Sequence, residues 1–152
     1  MNIEEIKHMY EGKLAYKVVD KDTRDCSNWS IFKRYHMKLA EFDYWENFKI
    51  EHSQYFPVYD YGKLIKMAPG SIGLMCFATK SAAEEFIRIE FSENETIIIQ
   101  VKGYNELSKS KIICGCGCDP ESIINISKAI KEGYLIDHIR ETLFFEFVEV
   151  LE

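Results

Sequence analysis

The stretch Thr96-Ile97-Ile98-Ile99-Gln100-Val101-Lys102 decides the fold class. β-Branched side chains are stiff at their first torsion and fit the pleated conformation. A run this dense predicts a strand in the interior of a sheet. Upstream of it, Ser81-Ala82-Ala83-Glu84 has the spacing of a capping box. It predicts a helix with Ala82, Ala83, Phe86 and Ile87 turned inward. Ile72 to Ala78 reads as the strand before that helix, with Cys76 as a small buried hydrophobe. Pro57 to Ser71 carries turn residues, among them Pro69-Gly70.

Further upstream, Leu14 to Val19 predicts a first strand, and Asp20 to Asn28 is polar and turn-like. Asn2, with Glu5 three residues later, caps a short helix striped by Ile3, Ile6 and Tyr10 and stopped at Gly12. Residues 29–56 fit a helix through Leu39, Phe42, Trp45 and Phe48, and fit short strands nearly as well. Downstream, Lys111 to Cys116 predicts another strand. Asp119-Pro120 opens a helix with Ile123, Ile126 and Ile130 inside and Gly133 at its end. Leu143 to Leu151 predicts a closing strand, with Phe145 and Phe147 on one face and Phe144, Glu146 and Val148 on the other. The expectation is a single α+β domain over residues 1–152. It has a mixed or antiparallel sheet with about three helices packed mainly on one side.

A chain of 152 residues can bury a real core without staples. Its formal charge is −6, from 19 basic against 25 acidic residues, so nucleic acid is not an expected partner. The densest basic set, Lys33, Arg34 and Lys38 with His36 between them and the aromatics Phe32 and Tyr35 interleaved, could form a stacking platform but reads more simply as a solvated face. No run approaches the ~18 apolar residues of a membrane span. The start Met1-Asn2-Ile3-Glu4-Glu5 is acidic where a signal peptide needs basic residues. Five cysteines, three of them crowded, do not make a secreted disulfide framework, and a cytoplasmic setting is expected.

The crowded cysteines are Cys114, Cys116 and Cys118. On an extended segment their thiols share one face, which suggests a soft metal site. The alternate spacing differs from the two-residue spacer of zinc loops. Cys118, just before a helix, is also a candidate nucleophile for a thiol-dependent enzyme. Asp119 and Glu121 beside it oppose thiolate formation. The plainer reading is a buried strand with a glycine bend at Gly115 and Gly117. No nucleotide loop or other cofactor motif occurs, and no cofactor is expected.

A polar cleft near the strand ends can be assembled from Tyr16, Lys17, Thr79 and a late acid, Glu146 or Glu149. This layout resembles that of ADP-ribosyltransferases. The resemblance implies a small enzyme with glycosyl or ADP-ribosyl transferase-like activity. In it the glutamate would hold a ribose hydroxyl, and Thr79 would support the nicotinamide pocket. The chain departs from that family at Lys17, where Arg or His is usual, and lacks a Ser-Thr-Ser or Glu-x-Glu run.

A third class needs less special geometry. Trp29, Tyr35, Tyr44, Trp45, Tyr55, Tyr59 and Tyr61 are concentrated in one part of the chain. Tyr and Trp are favoured at interfaces because they combine large area with a polar handle. The leading expectation is a small acidic interaction or regulatory domain, with a protein partner or self-association.

Overall fold

The computed structural model describes residues 2–25, 57–69, 73–90, 96–107 and 141–152. The described elements are α1 (Ile3–Met9), β1 (Lys13–Asp20), β2 (Leu64–Lys66), β3 (Leu74–Phe77), α2 (Lys80–Glu90), β4 (Thr96–Glu106) and β5 (Thr142–Val150). The helix expected at 119–133, the strand at 111–116 and the ambiguous block at 29–56 lie outside the described residues.

Every pairing between the described strands is antiparallel. β1 lies along the first part of β4, from Asp20 opposite Thr96 to Lys13 opposite Gly103. β5 takes the other edge of β4, from Val101 opposite Val150 to Glu106 opposite Phe145. The two neighbours are staggered along β4, and such stagger is the shear that curls a sheet upon itself. The far edge of β5 pairs with β3 and then with β2. β3 returns to β1 through Tyr16 and Phe77. The ring β1–β4–β5–β3 is therefore a closed four-stranded barrel, with β2 added to β5. This corrects the expected open sheet with three helices on one side. The class α+β stands, with two helices among the described residues.

Ala15, Val19, Leu74, Cys76, Ile99, Val101, Leu143, Phe145, Val148 and Val150 form one buried cluster inside the barrel. α2 lays Ala82, Ala83, Phe86 and Ile87 on Val18, Phe77 and Phe144 of the outer wall. The inward face of this helix is the one its sequence predicts. Its start is different. Thr79, and not Ser81, is the cap: its Oγ1 accepts the Ala82 N–H at 3.1 Å. α1 forms as expected, with Asn2 Oδ1 accepting the Glu5 N–H at 3.0 Å. Ile6 anchors α1 on a separate patch made by Tyr104 and Phe147.

Strict alternation fails in β5. Phe145 and Val148 both belong to the interior cluster, although they are three positions apart, an odd spacing. Opposite this break stands Asn105, with φ +56°, a left-handed conformation that Asn tolerates better than most residues. Its Nδ2 donates to Glu146 Oε1 at 2.9 Å. The Phe145 ring fills the space above Gly103, where a Cβ would meet ring atoms at 2.4 Å. The expected faces of this strand are therefore corrected. Phe145 joins Val148 inside, Phe147 joins α1, and Phe144 faces α2.

Candidate functional site

Alternation along β1 puts Ala15, Lys17 and Val19 on one face, and Ala15 and Val19 are in the barrel interior. Lys17 is carried in with them and is 4% exposed. Its Nζ donates to the Met75 carbonyl at 2.6 Å and stands 5.3 Å from the centroid of the Tyr59 ring. The β1–β3 ladder consists of the single pair Tyr16–Phe77. The ammonium thus ties the two strands where their backbone pairing stops. Tyr16, one residue earlier, packs on the α2 side.

Tyr59 is fully buried in the interior cluster. Its N–H donates to the Arg24 carbonyl, and Arg24 Nε donates back to the Tyr59 carbonyl, both at 2.9 Å. Arg24 Nη2 also reaches the Glu152 carbonyl at 2.6 Å. Two residues on, Tyr61 is 76% exposed, and Val58 is 40% exposed. The loop that carries them is pinned on the downstream side too. Gly62 N–H donates to Val150 O at 3.0 Å and Lys63 N–H to Asp60 O at 3.1 Å. Gly62 takes φ +79° with nothing within 4 Å of a built Cβ, so the turn needs glycine for its backbone and not for space.

The remaining polar candidates sit in contacts of their own. Thr79 caps α2 and donates its hydroxyl to Glu141 Oε2 at 2.6 Å. Glu146 accepts from Asn105. Glu149 accepts from the Tyr104 hydroxyl at 3.0 Å and faces Lys7 Nζ at 3.7 Å. Burial, followed by the hydrogen bond to Glu149 and the charges of Glu149 and Glu4, pushes the Tyr104 phenol up to about 12. Among the described residues, no hydrogen bond or ion pair joins Lys17 or Thr79 to Glu146 or Glu149. The residues of the expected cleft, Lys17, Thr79, Glu146 and Glu149, are thus spread over the barrel interior, a helix cap and an outer wall.

Cys114, Cys116 and Cys118, and the aromatics Trp29, Tyr35, Tyr44, Trp45 and Tyr55, lie outside the described residues. Among the described residues, no group of three or more His, Cys, Asp or Glu is placed to hold a metal ion. No described helix is long and apolar enough to cross a membrane. The sequence did hold a signal for the burial of Lys17: the alternation Ala15-x-Lys17-x-Val19 on a strand. The β5 break and the Phe145–Gly103 contact have no such signal. No family model, no curated protein and no solved structure matches this chain.

Proposed function

We propose that the chain is a small acidic interaction or regulatory domain, self-association included, and that Tyr61 is a central contact. The observation that carries this reading is the presentation of Tyr61. The side chain is 76% exposed on a loop whose backbone is tied on both sides to β5 and to the Asp20–Asp25 turn. A loop held this way loses little backbone freedom on docking, and that lowers the cost of association. Tyr is also among the residue types that dominate interface energetics. Tyr59, a neighbour in sequence, serves the opposite purpose and holds the loop from inside.

The test combines two measurements. Sedimentation over a concentration series reports self-association, with Tyr61→Ala compared to the parent chain. The variant should keep its melting temperature and weaken association by ~10-fold or more, equivalent to about 1.4 kcal/mol. A photo-crosslinking residue at position 61, against one at exposed Glu84 on α2, reports a partner in cells. A monomer at all concentrations, with no adduct specific to position 61, would refute the proposal.

A further inference from the structure

We propose that the seam between β1 and β3 is a binding site for a small carboxylate with an apolar tail, with the Lys17 ammonium as its counter-charge. This reading is independent of the role given to Tyr61.

The first ground is a buried charge with no anionic partner among the described residues. An ammonium has three N–H donors. Among the described residues Lys17 finds one hydrogen-bond acceptor, the neutral carbonyl of Met75. The Tyr59 ring offers its negative face at 5.3 Å, which attracts the cation and does not neutralise it. The ion pairs among the described residues belong to Lys7, Lys13, Lys63 and Arg88, and none to Lys17. Buried charges in proteins are normally paired, because desolvation is otherwise uncompensated. The chemistry that complements such an ammonium is an anion.

The second ground is position. One residue pair alone joins β1 to β3 in register, so theirs is the shortest ladder between described strands of the barrel. The ammonium stands just beyond that pair. Widening the seam there would cost no further ladder bonds between the two strands. The third ground is the chemistry of the walls. Val19, Leu74 and Ile99 belong to the cluster around this point. One positive charge among hydrocarbon side chains fits a monoanion with a hydrocarbon tail. A phosphate dianion would leave excess charge in the same surroundings. The carboxylate would take the two remaining Lys17 donors while Met75 keeps the third.

The test is a titration of the whole chain with hexanoate, followed by amide chemical shifts, with inorganic phosphate in parallel. The expected result is saturable shifts at Lys17, Met75 and Ile99 and a raised melting temperature. Lys17→Met should abolish both responses. Its own melting temperature without ligand should stay close to the parent's, because removal of a buried charge offsets the lost tie to the Met75 carbonyl. Equal saturation of Lys17→Met, or a stronger response to phosphate than to hexanoate, would overturn the proposal. If Lys17→Met does not fold, the parent titration decides alone, and the absence of saturable shifts at those three amides overturns it.

Discussion

Replacing Gly103 by alanine tests the least expected feature of the barrel, the inward turn of Phe145. A Cβ at position 103 would lie 2.4, 2.4 and 2.5 Å from three atoms of that ring. Ordinary contact begins near 3.4 Å, so the ring must retreat by roughly 1 Å to restore normal packing. It has little room, since Phe145 is 1% exposed and sits among Leu74, Leu143 and Val148. Overpacking of this kind costs about 1–3 kcal/mol, and a rigid ring met by backbone-anchored Cβ belongs at the upper end. Gly→Ala returns about 0.4–1 kcal/mol by restricting the unfolded chain. The expected net loss is therefore about 2 kcal/mol. For a chain of this size it lowers the melting temperature by about 4–8 °C. Urea denaturation should show a lower midpoint at unchanged slope, the signature of a stability change within an intact two-state transition. Phe145→Leu in the same chain should relieve part of the clash, so the two substitutions should be non-additive by about 1 kcal/mol. A loss below about 0.5 kcal/mol for Gly103→Ala, within the range of neutral surface changes, would show that the ring does not cover residue 103. The interior assignment of Phe145 would then fail.

Two further outcomes follow from the capping of α2 and the setting of Tyr104. Thr79→Ala should destabilise the chain by about 1 kcal/mol, with most of that recovered in Thr79→Ser. Ser81→Ala should stay within about 0.5 kcal/mol of the parent, because Ser81 is exposed and is not the cap; the reverse ranking, read from melting curves, would place the cap at Ser81. Ultraviolet titration should find the Tyr104 phenol ionising at about 12, against an ordinary 10.0. The folded value is the higher one, so its contribution to stability is fully present below pH 10 and is lost as pH rises through about 12. Glu149→Gln should lower that value yet leave it above 10, since burial is the largest cause; a return to 10 would make Glu149 the main one.

Local features were readable in the residues because their causes are local. Asn2 and Glu5 form the box that starts α1. Ala82, Ala83, Phe86 and Ile87 declare the buried face of α2 by helical spacing. β-Branched density marks the start of β4, which then extends through Glu106. The cap was misassigned for a chemical reason: Thr79 and Ser81 offer the same hydroxyl within two residues, and the helix begins one position after the first. Closure of the sheet was not readable, since it depends on the offset of β1 and β5 along β4 and on a single β1–β3 pair. β2 was hidden inside a stretch rich in turn residues, because three residues give too little pattern to recognise. Of the candidate site, the sequence offered Lys17 as the basic member of a cleft. Its contact with Met75 and Tyr59 brings together residues far apart in the chain, and spacing does not report that.

The role of β5 also bears on how the chain reaches its native state. It is the last of the described strands in chain order, and β2, β3 and β4 all pair with it. Until residues 142–150 are in place, among the described strands β2 has no partner, β3 keeps a single bridge to β1, and β4 pairs along one edge only. Pairings such as Leu64 with Glu149 must close long loops before they stabilise anything. Such topology makes folding slow and leaves intermediates with open strand edges, the species most prone to aggregate. A nascent chain emerging from the ribosome would carry those edges until β5 arrives.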